Sequence, residues 1–338
     1  MIKEAIQTLV SGKSLTRDEA AAVMEEIMEG KATPSQLGAF LTALRIKGET
    51  ADEIAGLASV MRAKAVRVTV NEPVLDIVGT GGDGSGTFNI STAAAFVAAG
   101  AGIKVAKHGN HAASSQCGSA DVLEALGVKI ELSAEGVKRC IEEVGIGFMF
   151  APAFHPAMKH AAPTRREIGI RTVFNILGPL TNPAHAQYQV IGVPSEELQE
   201  KIAAALLHMD VKHALVVHGE DGLDEITITG KTTVSELKDG EISIYSISPE
   251  DFGLPKADSK SLKGGTVGKN AAIMRGVLSG VPGPKQDVVL LNAAAGLVAG
   301  DRVPALKQGV DLAKQVIDSG KALEKLEQLI ELSQKVAK

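Results

Sequence analysis

Val74-Leu75-Asp76-Ile77-Val78-Gly79-Thr80-Gly81-Gly82-Asp83-Gly84-Ser85-Gly86-Thr87 runs from a short apolar segment straight into a glycine cluster. Such a run, ended abruptly by glycine, reads as a buried strand. An Ala-rich segment from about Asn89 to Ala99 reads as the helix that follows. The pattern then repeats. A short strand is expected near Ile103–Ala106, then a Gly/Ser loop and a helix near Ala120–Leu126. Further strands are expected at Gly147–Phe150, Tyr188–Val193 and Ala214–His218, with a helix near Ser195–Met209 between the last two. Strands that alternate with helices build βαβ units and a mainly parallel sheet.

Outside this block the character differs. Residues 1 to about 65 read as helical. Thr16 with Glu19, Thr33 with Gln36 and Thr50 with Glu53 each have capping-box spacing, and Pro34 follows Thr33 at a first helical position. The stripe Ala20, Val23, Met24, Ile27 and Met28 stops at Gly30. From Glu225 to Ser248, β-branched residues alternate with polar ones, which predicts an antiparallel excursion. Pro255–Gly268 reads as a loop. The chain then returns to helix and ends in the charged, amphipathic segment Leu323–Val336, a packing or dimerisation surface. The fold class is therefore α/β, with a small N-terminal helical domain over residues 1–68 and a larger α/β domain over residues 69–338.

Composition narrows the function. The 338 residues suggest about two domains. Hydrophobic residues make up 45% and the net charge is −5, with no basic block, which argues against nucleic acid held by its phosphates. Trp is absent, so stacking platforms for single strands are not expected. The longest apolar run, Ala93–Ile103, is too short to span a bilayer, which needs about 20 residues. The N-terminus lacks the apolar core of a secretory signal. Cys117 and Cys140 are too few for a disulfide framework and read as free thiols. A cytoplasmic protein is expected, without nucleic-acid or membrane partners.

Several segments carry chemistry. Eight glycines fall within Gly79–Gly109, against 36 in the whole chain, so the enrichment is local. Glycines let backbone N–H groups approach an anion, and a helix start adds its dipole. Thr87, Asn89, Ser91 and Thr92 place polar groups at that start. Phosphate binding and a plain capped turn both fit the segment. A second polar loop, Lys107-His108-Gly109-Asn110-His111, continues to Ser114-Ser115-Gln116-Cys117-Gly118-Ser119. In a doubly wound sheet the two loops line one crevice. Asp224-Glu225 follows a strand end and is either a site for Mg²⁺, which prefers oxygen ligands, or a solvated acidic turn. Thr164-Arg165-Arg166-Glu167 holds either an arginine fork for a carboxylate or an ordinary basic helix.

Taken together and in this order, these segments resemble the anthranilate phosphoribosyltransferases. The matching pieces are Gly79-Thr80-Gly81-Gly82-Asp83, Asn89-Ile90-Ser91-Thr92, Lys107-His108-Gly109-Asn110, Arg165 in its Arg-Arg-Glu-Ile-Gly-Ile-Arg segment, Asn175–Pro183 and Gly222-Leu223-Asp224-Glu225. The resemblance covers essentially the whole chain. It implies transfer of the 5-phosphoribosyl group of 5-phosphoribosyl 1-diphosphate (PRPP) to the amine of anthranilate, a step of tryptophan biosynthesis. It implies that Gly79, Gly82, Asp83, Thr87, Asn89, Ile90, Ser91, Thr92, Lys107, His108, Gly109, Asn110, His111, Ala112, Ala113, Ser114, Ser115 and Ser119 hold PRPP. Gly79, His108, Asn110, Arg165 and Pro179 would meet anthranilate. Ser91, Asp224 and Glu225 would ligate two Mg²⁺ ions. Lys107, Asn110 and Arg165 would act by position and charge, without a covalent intermediate. Helices from about 165–185 would join the small domain, and a homodimer would form through it.

The resemblance also has departures. The family often carries Arg after Lys-His-Gly-Asn, and Lys-Ser before the next glycine; here His111, Gln116 and Cys117 stand there. Two positive charges are thus missing, and His111 is expected to replace the arginine in part. Two rival readings are a pyrimidine nucleoside phosphorylase of the same superfamily and a catalytically silent paralogue. The Asp224-Glu225 pair disfavours the first. The second would be expected to lack Arg165, Ser91 or Glu225.

Overall fold

The computed structural model describes residues 1–112 and 115–337. Seven strands form one sheet in the order β3-β2-β1-β4-β5-β6-β7. They are β1 (Leu75–Gly79), β2 (Val105–Gly109), β3 (Ile146–Phe150), β4 (Tyr188–Gly192), β5 (His213–Gly219), β6 (Thr232–Lys238) and β7 (Glu241–Ile247). The first five are parallel, and β6 and β7 add antiparallel to the edge at β5. Between β1 and β4 the order of winding reverses. A crevice outside the carboxyl ends of the strands opens at such a reversal.

The parallel strands are largely apolar because both faces of that part of the sheet are covered, whereas the edge strand β7 is mostly exposed. Neighbouring residues divide between two cores. Leu75, Ile77, Val190, Leu215 and Val217 face the core built on the Ala-rich helix Ile90–Gly100 and on helix Pro284–Ala299. Ile191, Val193, Ala214 and Val216 face the core of the N-terminal bundle. This is the period-2 alternation of a strand, used on both sides.

The bundle comprises α1 (Ile2–Val10), α2 (Arg17–Met28), α3 (Pro34–Lys47) and α4 (Ala51–Ala63). All three expected capping boxes form, at Thr16, Thr33 and Thr50. Glu53 caps α4 and is fully buried, where it accepts hydrogen bonds from the Leu15 amide (2.9 Å) and Lys47 Nζ (2.9 Å). Ala161, Val173, Phe174, Leu177 and Leu180 belong to this same core. No helix among the described residues is long and apolar enough to cross a membrane.

Two expectations are corrected. The antiparallel excursion begins only at Thr232, not at Glu225. Ile226 gives its amide to Asn292 Oδ1 (2.9 Å) and its carbonyl accepts from Asn292 Nδ2 (2.9 Å), so it pairs with a helix side chain and not with a strand. The Pro255–Gly268 loop contains a short 3₁₀ turn, Ser259–Leu262, and its end is already helical from Val267, which Thr266 caps.

Candidate functional site

A cavity of about 390 Å³ opens at the carboxyl ends of β1, β2 and β5. Its lining includes every residue that the resemblance assigns to PRPP, anthranilate or Mg²⁺ except Ala113 and Ser114, which lie outside the described residues. The fold brings these dispersed segments together because each follows the end of a parallel strand, or lies on 165–179, which crosses above them.

Glycine is required at the first loop by close approach. A Cβ on Gly79 would collide with Asp224 Oδ2. The Gly81 amide, at φ +75°, donates to that oxygen at 2.6 Å. At the start of helix α5 (Ile90–Gly100), the Ser91 amide donates to Glu225 Oε1 at 3.1 Å. Asp224 and Glu225 are only 8% and 7% exposed, so the solvated-turn reading fails. Burial pushes the Glu225 carboxyl up to about 7, against the pull of Lys107 and the Ser91 amide. Burial, then the charges of Glu225 and Asp83, hold Asp224 well above the usual carboxylate range. Asp83 Oδ2 is buried with no hydrogen-bond partner among the described residues. Asp83, Asp224 and Glu225 line one cavity and offer the oxygen ligands that a hard divalent cation prefers, although the one trio with ligand atoms within 4.8 Å of one another among the described residues is His111, Asp121 and Glu124.

Lys107 faces the same end from β2. It is 2% exposed, and its Nζ donates to the Ile77 carbonyl at 2.6 Å. Burial lowers its pKa, opposed by Asp76 and Glu225. Asp76 was not among the sequence candidates. It is fully buried, accepts from Asn182 Nδ2 at 2.7 Å and from the His108 amide at 3.3 Å, and is pushed by burial to about 6. An aspartate inside an otherwise apolar strand was the available signal.

The opposite end differs in chemistry. Arg165, on helix Ala162–Ile168, lies 4.9 Å above the Phe174 ring and has no carboxylate partner among the described residues. Burial lowers its pKa. His108 Nδ1 lies 3.2 Å from the Gly178 carbonyl, and its ring centroid lies 5.0 Å from that of His155. The Nε2 atoms of both rings are buried and find no partner among the described residues. Burial holds His108 at about 3 and His155 at about 4, so both are neutral at pH 7.

A pH dependence of stability follows from the depressed pair. Unfolded histidines bind protons from about pH 6.5 downward, and these two resist until about 4 and about 3. Their contribution is complete above pH 6.5 and is lost as pH falls through that window. Thermal melts of metal-free protein from pH 8 to pH 4 should show it. The His155→Gln variant is expected to lose less stability over that range than the parent; equal losses would remove the histidines as the cause.

Two further loops complete the surroundings. His111 Nδ1 pairs with Asp121 Oδ1 at 2.6 Å, its ring sits edge-on to Phe150, and it is half-exposed. Cys117 packs its Sγ 3.5 Å from Asn89 Oδ1, and burial pushes the thiol up to about 11, so it stays protonated. Two cations absent from the sequence candidates grip the glycine loop. Arg171 Nη2 donates to the Gly81 carbonyl at 2.8 Å, and Lys263 Nζ donates to the Ser85 carbonyl. Lys263 comes from far along the chain, where no local pattern marked it.

Comparison with known proteins covers the whole chain. Residues 3–65 match the glycosyl transferase family helical bundle domain and residues 71–323 the glycosyl transferase family α/β domain. Anthranilate phosphoribosyltransferase of Dehalococcoides mccartyi is 66% identical over 100% of this chain and 99% of its own length. That of Chloroflexus aurantiacus is 62% identical over 98% of each. The crystal structure of the Thermus thermophilus enzyme superposes with a TM-score of 0.93 at 48% identity, covering 98% of this chain and 99% of that one. The Saccharomyces cerevisiae enzyme in complex with PRPP and Mg superposes with a TM-score of 0.90 at 31% identity, covering 99% and 98%. Its complex with 4-fluoroanthranilate gives 0.88 at 30% identity, again covering 99% and 98%.

Proposed function

The chain belongs to the anthranilate phosphoribosyltransferases, and we propose that its cavity transfers the 5-phosphoribosyl group of PRPP to anthranilate with the help of two Mg²⁺ ions. One observation carries this reading. A single cavity joins a buried, mutually repelling set of carboxylates to an unpaired guanidinium beside neutral histidines. The first end suits a metal-bound diphosphate and the second an aromatic carboxylate.

Ser91, Asp224 and Glu225 would hold the ions, which when bound supply positive charge to the diphosphate. Gly79, Gly82, Asp83, Thr87, Asn89, Ile90, Ser91 and Thr92 would hold PRPP from the first loop and the α5 start, whose helix dipole favours phosphate. Lys107, His108, Gly109, Asn110, His111, Ala112, Ala113, Ser114, Ser115 and Ser119 would hold it from the second loop. Lys107, beside Asp76, which Asn182 holds, would offer its ammonium in a water-poor site to charge developing on the leaving group.

Arg165 would take the anthranilate carboxylate by two parallel hydrogen bonds, while Gly79, His108, Asn110 and Pro179 orient the ring. A neutral His108 does not compete with Arg165 for that carboxylate. The amine nitrogen forms the bond to C1 as the C1–O bond breaks, and the electron pair leaves with pyrophosphate. The new nitrogen cation then loses its proton to water. An arylamine is neutral at pH 7, so the step needs no strong base and no covalent intermediate.

Residues 1–68 with 165–185 would form one body and the rest of 69–338 the other, and their closure would exclude water. The location of Arg165 and Phe174 on the segment packed with the bundle supports this division. Exposed Val10 and Ile46, at 69% and 82%, support a homodimer through the bundle. We read the protein as cytoplasmic.

The test is loss of anthranilate fluorescence with PRPP, with and without Mg²⁺. Mg²⁺-dependent loss supports the assignment. Absence of turnover under both conditions rejects it.

A further inference from the structure

Beyond Gly82 and Asp83 the site opens into a second cavity of about 990 Å³. Its described lining sets Arg165, Arg166, Arg171 and Lys263 against one carboxylate, Asp83. No ion pair within 4 Å engages Arg166, Arg171 or Lys263 among the described residues. The inner cavity sets Asp83, Asp224 and Glu225 against Lys107, Arg165 and Arg171, whereas the outer one carries an excess of cations beside the same glycine loop.

Lys263 is held in place by its neighbours. The Gly264 amide donates to the Gly86 carbonyl at 3.0 Å, and the Phe88 amide donates to the Leu262 carbonyl at 3.3 Å. Leu262 is 1% exposed. A Cβ on Gly264 would lie 2.9 Å from the Thr87 carbonyl and from the Phe88 amide, so the segment sits flush on the end of the loop. Arg171 lies against Gly82 so closely that a Cβ there would overlap its Nη1. Each side chain spends one N–H on a loop carbonyl, Ser85 for Lys263 and Gly81 for Arg171, and keeps others free.

We propose that Lys263 and Arg171 are positioning residues that bind a phosphoryl group of PRPP from the outer side of the glycine loop. The inference rests on the PRPP reading above and adds residues to it. Two cations fixed on one loop are suited to a polyanion whose metal-bound face is turned to Asp224 and Glu225.

The experiment uses the full chain with Mg²⁺ and the variants Lys263→Met, Lys263→Arg and Arg171→Met. Lys263→Met is expected to raise the PRPP KM about tenfold, as loss of one charge-assisted hydrogen bond would, with kcat and the anthranilate KM nearly unchanged. Lys263→Arg should restore most of the loss, and Arg171→Met should repeat it. Inorganic pyrophosphate and ribose 5-phosphate serve as competing inhibitors. Weaker inhibition by the first assigns the pair to the diphosphate, and by the second to the 5-phosphate. An unchanged PRPP KM with both inhibition constants unchanged overturns the proposal. So does a fall in melting temperature that Lys263→Arg shares, because Lys263 would then only tether the loop. If the parent chain consumes no anthranilate, the PRPP reading fails separately. Calorimetry with pyrophosphate and Mg²⁺ then decides the inference: binding that Lys263→Met weakens supports it, and binding that is absent or unchanged overturns it.

Discussion

Asp224→Asn is expected to make the metal-free protein more heat-stable at pH 8 while cutting turnover on the order of 10²–10³-fold, the scale of losing one electrostatic stabiliser. The two effects have one cause. Asp224 is 8% exposed and sits beside Glu225 and Asp83, with only the Gly81 amide in compensation. Its folded pKa is raised well above 3.8. The native state therefore holds a proton that the unfolded chain releases, and stability falls as pH rises above about 4 until the native group ionises. Asparagine keeps an oxygen for the Gly81 amide and removes the charge. Parent and variant should melt alike at acid pH and separate toward pH 8, with the variant higher. Added Mg²⁺ should invert the order, since a ligand that binds only the folded parent stabilises it. Melts at several pH values with and without Mg²⁺ check this. A variant that is less stable at pH 8 without metal, or is equally stabilised by Mg²⁺, rejects Asp224 as a ligand.

Arg165→Ala is expected to raise the anthranilate KM about a hundredfold and leave the PRPP KM within about twofold. A partly buried guanidinium that lies over Phe174 and meets no carboxylate among the described residues is held ready for an anionic ligand. Two charge-assisted hydrogen bonds to a carboxylate account for a loss of this size. Arg165→Lys should recover little, because an ammonium cannot make the paired bonds. Steady-state kinetics with each substrate varied in turn check the split. A rise shared equally by both substrates would mean that the change deforms the cavity.

Much of the site was legible because its chemistry is local. Gly79–Asp83 and Asn89–Thr92 lie within a single strand–loop–helix unit, whose turn demands glycine and whose helix start adds its dipole. The capping boxes at Thr16, Thr33 and Thr50 are equally local, each closing over three residues. What was missed depends on distant partners. Asp76 matters through Asn182 and Lys107. Lys263 matters through Ser85, 178 residues earlier. The strand expected from Glu225 fails because Asn292, 66 residues later, satisfies the backbone of Ile226.

By itself the sequence determined the α/β class, the helical N-terminus, the glycine loop and the residue types of the site, since propensity, capping and alternation act over a few residues. Tertiary structure alone decided the order of the strands and the division of their side chains between two cores. It also decided the sign of the charge at each end of the cavity. Asp224 in a solvated turn would be an ordinary carboxylate. Buried against Glu225 and Asp83 it becomes a group that calls for a cation. Burial and proximity set that difference, and only the folded chain supplies them.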